Sequence, residues 1–323
     1  MIYNKTHKNA RIKKSRIKKS RIRKSKTKKS IPNKTINILS YNISWESMTG
    51  NVSTWELCSN NTDNKNPKHY SVCVNNIANV INDYVSDNQK LDFITLQEAT
   101  DFYKLIEYSP ILKQMKYETH KSGLDNMVTL WSSNYKLLYT IKGEFEKGRP
   151  WLATILQCSK YNTNIICLIN VHFGHYNKNE EYSKLDTMIL TIKKEIIKKE
   201  KQIKSQSQSQ RQSQSQSQIQ SQSQSQSKSQ KNINIMNINK IRYIISGDFN
   251  YNIKELGNSQ NKIIINETTF YHHPKHILTC CINRTTHFDH VIDSLNKPID
   301  IYIPDVKYMA SDHKPIIVKL LYK

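Results

Sequence analysis

The chain is predicted to be an α/β (α+β) protein with mixed β-sheets, and three observations predict it. Apolar runs of strand length outnumber helical stretches. The helical stretches fall between strands, as crossovers do. Polar, titratable residues recur at the ends of those strands, where open α/β proteins place their ligands.

The elements follow in order. Ile36–Tyr41 alternates in period two and ends at Asn42. The segment from Gly50 to Tyr70 is polar, rich in Asn and Ser, and reads as a loop. Over Val72–Val85, Ile77, Val80, Ile81, Tyr84 and Val85 fall on one helical face. Leu91–Leu96 reads as a buried strand ending in Gln97-Glu98, with a short helix near Phe102–Ile106. Strands are expected at Met127–Trp131, Lys136–Ile141, Trp151–Leu156 and Ile165–Val171, the last ending in His172. A basic helix is expected over Glu180–Lys204, with Leu185, Met188, Ile189, Ile192 and Ile196 at three- and four-residue steps. Strands at Arg242–Ser246 and Phe288–Ile292 come next. A hairpin-like pair, Ile299–Ile303 and Ile316–Leu321, closes the series and encloses Ser311-Asp312-His313-Lys314-Pro315.

Charge and composition divide the chain. Its 323 residues carry a net +23, and residues 1–30 hold 14 Lys/Arg and no acid, so the remainder carries 23 − 14 = +9. That stretch repeats in fives (Arg11-Ile-Lys-Lys-Ser15 and its successors), a period that fits neither a helix face nor a strand face. Residues 1–34 therefore read as a disordered basic tail, suited to gripping phosphate backbones or to acting as a nuclear address. A Ser-Gln repeat within 203–232 reads as a flexible loop that interrupts a single catalytic domain, 35–323, because the closure cost of a long loop grows only logarithmically. There is no apolar run of the roughly 18 residues a membrane helix needs. The basic N-terminus lacks the apolar stretch of a secretory signal. Six cysteines without a CxxC pair suggest reduced thiols, and the whole suggests an intracellular protein, in cytoplasm, nucleus or virion. Abundant Asn, Ile, Lys and Tyr with few Gly and Pro suggest an AT-rich genome, such as that of a large DNA virus.

The chemistry gathers at Ser246-Gly247-Asp248-Phe249-Asn250. Asp248 and Asn250, two apart, share a side just past a buried strand. A carboxylate and an amide there are able to hold a water and an oxyanion. Asn42, Glu98, His172, Asp312 and His313 stand at equivalent positions on other strands or in the loop before one. Singly, each has an ordinary structural reading: Asn42 as a turn cap, Glu98 as a surface carboxylate, His172 as a core histidine, Asp289 as a salt link to His290 or Arg284. Jointly, oxygen donors of this kind suit a hard divalent cation, and the histidines suit proton transfer or phosphate contact.

In order, Asn42 in SYN, Gln97-Glu98 in LQE, His172 in NVHFGH, Asp248-Phe249-Asn250 in SGDFN, Asp289 in FDHV and Asp312-His313 in SDHKP resemble the endonuclease/exonuclease/phosphatase superfamily, over Ile36 to Leu320. The resemblance implies a four-layer α/β/β/α sandwich of two packed mixed sheets flanked by helices. It also implies metal-assisted in-line attack of water on a phosphoester, with Mg²⁺, or Mn²⁺ in its place. By position, Glu98, Asn42 and Asp312 would hold the metal. Asp248 would orient or deprotonate the water. Asn250, His172 and Arg149 would bind the phosphate, and His313, oriented by Asp289, would contact the phosphate or transfer a proton. Basic charge favours nucleic acid as partner and substrate, with the protein acting as a monomer. The runner-up readings are an esterase of inositol or lipid phosphates and a catalytically weak nucleic-acid or virion-packaging binder. The segment Tyr251–Leu256 after SGDFN does not resemble that of abasic-site enzymes. A cluster of His272, His273, His276, Cys280, Cys281 and His287 lacks the ligand spacing of a zinc site and reads instead as a buried strand, Ile277–Ile282, with flanking histidines.

Overall fold

The computed structural model describes residues 35–44, 70–86, 90–159, 165–218, 241–257, 260–273, 278–280, 286–295, 298–304 and 311–322. The basic tail, the Asn/Ser-rich loop up to residue 69, and His276 and Cys281 lie outside them.

Two mixed sheets form the protein. The first has strand order β12-β13-β1-β2-β4-β3. It comprises β1 (Thr35–Asn42), β2 (Phe93–Gln97), β3 (Lys116–Ser122), β4 (Asp125–Trp131), β12 (Asp300–Tyr302) and β13 (Ile316–Leu321). The second has the order β5-β6-β7-β8-β11-β10-β9. It comprises β5 (Tyr135–Glu146), β6 (Arg149–Cys158), β7 (Ile165–His172), β8 (Ile241–Asp248), β9 (Lys262–Ile265), β10 (Thr268–Tyr271) and β11 (Asp289–Asp293). Alternation splits each strand's side chains between two faces. Ile36, Ile38, Phe93 and Trp131 of the first sheet meet Leu156, Ile166, Leu168 and Val291 of the second to make the central core. The outer face of the first sheet is covered by α1 (Tyr70–Ser86), α2 (Phe102–Tyr108) and α3 (Pro110–Gln114), with Val74, Ile77, Ile81 and Leu105 turned inward. The outer face of the second is covered by α4 (Lys178–Gln218), through Leu185, Met188, Ile189, Ile192 and Ile196. The result is the four-layer sandwich.

Several elements differ from expectation. Helix α4 begins at an Asn-x-x-Glu capping box: Asn177 Oδ1 accepts from the Glu180 amide (3.1 Å) while Glu180 Oε2 accepts from the Asn177 amide (3.2 Å). It then continues to Gln218, into the block read as a loop. Gln is a good helix former, Ser a tolerable one, and no Gly or Pro interrupts, so a helix already nucleated on its apolar face propagates at little cost. The edge strand β3 escapes prediction because KYETHKS is polar and largely exposed. The β9–β10 hairpin escapes because its turn is Asn266-Glu267, both at positive φ, rather than a Gly-containing pair. The strand expected at Ile277–Ile282 is not seen among the described residues there, where Cys280 makes only isolated bridges to Thr286 and His313. The expectation of reduced thiols holds only in part. Cys158 and Cys167 are free and buried, whereas Cys73 and Cys280 are disulfide-bonded. No helix among the described residues is long and apolar enough to cross a membrane.

One end of the inter-sheet space is polar rather than apolar. Thr95 Oγ1 and Ser246 Oγ lie 2.7 Å apart across the sheets. Gln97 Nε2 donates to Asn170 Oδ1 (2.7 Å), and Asn170 Nδ2 donates to the carbonyls of Leu96 (3.0 Å) and Val128 (2.9 Å). These bonds tie the two sheets together beneath the strand ends that carry Glu98, His172 and Asp248, although Gln97 Oε1 is buried without a partner.

Candidate active site

Three adjacent strands set the floor of the site in one row. The register of β7 against β8 places His172 opposite Asp248, and that of β11 against β8 places Asp289 opposite Asp248. Asp248 ends its strand because the backbone turns there. Asn250 takes φ 49°, and its amide donates to Asp248 Oδ1 at 2.8 Å, an Asx turn. Asn250 Nδ2 donates to the Phe173 carbonyl at 2.8 Å, which leaves the second amide hydrogen for other partners.

From the first sheet, Asn42 arrives at the end of β1. Its Nδ2 donates to Asp248 Oδ2 (2.9 Å) and Glu98 Oε1 (3.3 Å), while its Oδ1 accepts from the Ser44 amide (3.0 Å). In this orientation Asn42 offers hydrogens rather than its oxygen toward the carboxylates, so it would ligate a metal through Oδ1 only after its amide turns over. Glu98 follows β2 at φ 58°, a conformation held by its amide donating to Asp125 Oδ1 at 2.9 Å. The Asp312 carboxylate gathers with the ligand atoms of His313 and Cys280, within 4.8 Å of one another, and Ser311 Oγ bridges it to the Asn42 carbonyl. Because Cys280 is disulfide-bonded, that group offers no thiolate. The ligand atoms of Asp248, Asp289 and His313 also lie within 4.8 Å of one another, a grouping that would take a metal ion only with the imidazole neutral.

Two histidine–carboxylate pairs flank Asp248. His313 Nδ1 lies 2.9 Å from Asp289 Oδ2, and its Nε2 lies 3.6 Å from Asp248 Oδ2. Burial opposes charge on this ring, but Asp289 and Asp248 outweigh burial and push its pKa up to about 10. We place the proton of the His313–Asp289 pair on the imidazole, which is flanked by two carboxylates. His172 Nδ1 lies 2.6 Å from Asp125 Oδ2, and its Nε2 lies 3.5 Å from Glu98 and 3.6 Å from Asp248. Burial again works against the imidazolium, and Asp125, Glu98 and Asp248 raise its pKa despite that. Arg149, opening β6, brings NH1 within 2.7 Å of His172 Nε2. A guanidinium only donates, so here the ring accepts at Nε2 and keeps its proton on Nδ1, toward Asp125. Burial would raise Asp248, but His313, His172, Asn42 and the Asn250 amide together hold it below the usual carboxylate range.

The structure thus brings together Asn42, Glu98, Arg149, His172, Asp248, Asn250, Asp289 and His313, with Asp312 next to His313. It adds Asp125, which the sequence reading did not single out. One of its oxygens holds His172 and the other holds the Glu98 backbone. Asp125→Asn is expected to lower kcat/KM roughly 10- to 100-fold with little loss of stability, as outer partners of site histidines commonly do. Steady-state kinetics beside a thermal melt would separate the two effects.

Below the row, Glu181 in the first turn of α4 is fully buried, and neither carboxylate oxygen has a hydrogen-bond partner. Burial, with Asp248 nearby, pushes its pKa up to about 9 from an ordinary 4.5. Between those values the folded state holds a proton that the unfolded state releases, so this residue makes stability fall as pH rises. Glu181→Gln removes that slope. The variant's stability advantage over wild type is expected to grow by roughly 2–4 kcal/mol between pH 5 and pH 8, read from urea midpoints.

No family model matches the chain. It is 27% identical over 294 residues to uncharacterized protein L684 of Acanthamoeba polyphaga mimivirus, covering 87% of this chain and 49% of that protein; the chain thus spans about half the length of the curated relative it matches. Among solved structures, an endonuclease/exonuclease/phosphatase family protein from Bacteroides thetaiotaomicron superposes with TM-score 0.54 at 13% identity, over 90% of this chain and 98% of that one. Truncated Caenorhabditis elegans TDP2 gives 0.52 at 12% identity, over 89% and 97%. The human Nocturnin catalytic domain with bound sulfate gives 0.52 at 11% identity, over 88% and 93%.

Proposed function

We propose, from the premise that this chain has the endonuclease/exonuclease/phosphatase fold, that it is a Mg²⁺-dependent phosphoesterase that cleaves phosphodiesters by in-line attack of water, and that its substrate is DNA or RNA. The observation that carries the reading is the row of His172, Asp248 and Asp289 on neighbouring strands, met from the other sheet by Asn42, Glu98 and His313. Separate elements converge on one space with anionic, cationic and neutral donors, as a phosphoryl transition state requires.

The donor set fits a hard cation. Glu98 supplies a carboxylate oxygen at a partly exposed position beside Asn42, and Mg²⁺ binds through one or two carboxylates with water filling the rest. When bound, the metal neutralises charge on the phosphate oxygens. The protein's own groups do the remaining work. A carboxylate held below its ordinary pKa is a poor proton store, so Asp248 serves chiefly to orient the water in line with the phosphorus. Arg149 and His172 turn from each other toward the arriving phosphate, and Asn250 offers its second amide hydrogen. His313 carries a proton at neutral pH and gives it to the leaving oxygen, its ring fixed by Asp289.

A panel of single- and double-stranded DNA and RNA with Mg²⁺, comparing wild type with Asp248→Ala and Glu98→Ala, tests the reading. Absence of any Mg²⁺- and Asp248-dependent cleavage would sink it. Phosphate release from inositol phosphates without oligonucleotide cleavage would select the phosphomonoesterase instead. If residues 1–34 grip nucleic acid, deleting them should flatten the slope of log Kd against log salt by roughly 0.7–0.9 for each phosphate the tail neutralises, measured by anisotropy titrations at several salt concentrations.

A further inference from the structure

The rim of the site carries an aromatic pair that the proposed chemistry does not use. His175 lies three residues past His172 on the link to α4 and is exposed; Phe288 directly precedes Asp289 and is half-buried. Their ring centroids are 6.2 Å apart, and their planes meet at 63°. At that angle the rings form a corner that can receive a flat group, stacked on one ring and edge-on to the other. The corner is firmly mounted. The Phe249 amide donates to the Phe288 carbonyl at 2.8 Å, and the Phe288 amide donates to Thr279 Oγ1 at 3.2 Å. Phe249 is itself wedged between Phe173 (5.5 Å, 17°) and His290 (5.5 Å, 79°). The same backbone that shapes the Asp248-Phe249-Asn250 turn therefore positions Phe288. Phe288 immediately precedes Asp289, the first residue of β11, so the corner borders the row of catalytic groups.

We propose that this corner seats the base of the nucleotide adjoining the scissile phosphate, so that the centre acts on unpaired nucleotides. This rests on the phosphodiesterase reading above and narrows it. A π-face is what the corner recognises: any nucleobase offers one, while a polyol such as inositol offers none. A base inside a duplex is already stacked on both faces, whereas an unpaired one is free to be splayed onto protein rings.

The test is equilibrium binding of full-length protein to a short single-stranded oligonucleotide and to matched oligonucleotides with one base removed at each position in turn. Wild type should bind at least one base-free version roughly 5- to 100-fold more weakly, the range of a single stacked base. In Phe288→Ala that contrast should fall to about onefold, with Phe288→Tyr retaining it and His175→Ala reducing it. No contrast at any position in wild type, or a contrast that survives Phe288→Ala, overturns the seat. Failure of the phosphodiesterase reading would look different: the contrast would persist, yet neither oligonucleotide would be cleaved.

Discussion

Asp248→Asn should lower kcat for phosphodiester cleavage roughly 10³-fold or more while leaving the fold intact. The substitution keeps volume, and the carboxamide oxygen is able to keep the Asx turn to Asn250, although its NH2 then meets the Asn42 NH2 and that bond is lost. What disappears is the negative charge between the two histidines. Without it, His313 Nε2 loses one of the two carboxylates that keep it protonated, and His172 loses one of its three. The water and both rings therefore lose their bearings together. For that reason, Asp248→Asn combined with His313→Ala should cost little more than either alone, because groups that act as one unit are not additive. Single-turnover rates for the two single variants and the double variant provide the measurement. Fully multiplicative losses would mean that the two residues work in separate steps.

The second large effect lies one residue earlier. Gly247→Ala is expected to destabilise the protein by about 4 kcal/mol or more, near the upper end for single substitutions. Gly247 sits at φ 150°, a backbone conformation that side chains rarely adopt, and a Cβ there would lie 2.0 Å from the Val171 carbonyl oxygen. That oxygen is backbone in the middle of the second sheet, so it has no rotamer to escape into. β7 and β8 would have to separate where His172 and Asp248 face each other. Chemical denaturation reads the loss. Soluble protein of near-normal stability would show that the strands part more readily than the packing implies.

What was legible in the sequence follows from where its physical signals were strong. Buried strands such as IICLINVH and IRYIISGD declare themselves because both faces are apolar, and the polar residues closing them stand out by contrast. Asn42, Glu98, His172, Asp248 and His313 were therefore visible, and the structure brings them together. Asp125 was not visible. In Gly123-Leu124-Asp125-Asn126 it reads as a turn residue, and its interactions exist only because the β3–β4 hairpin lays it beside His172, 47 positions away. Asp312 was assigned to the metal by its place in the SDHKP motif, and in the fold Ser311 Oγ bridges its carboxylate to the Asn42 carbonyl. The Ser-Gln block misled because low complexity was equated with loop, although helix formation requires backbone hydrogen bonds rather than compositional variety. Glu181 offered no signal at all. A Glu in a first helical turn is ordinary, and only the packing above it makes this one unusual.

The strand order has a consequence for timing during synthesis. β13, the last in sequence of the described strands, does not add to an edge: it slots between β12 and β1. Ser311, just ahead of it, donates to the Asn42 carbonyl across 269 positions of sequence. Until Ile316–Leu321 has left the ribosome and inserted, β1 lacks a neighbour and His313 has no fixed place. A nascent chain with every other described strand in hand would thus still lack the pairing that sets His313 beside Asp248 and Asp289.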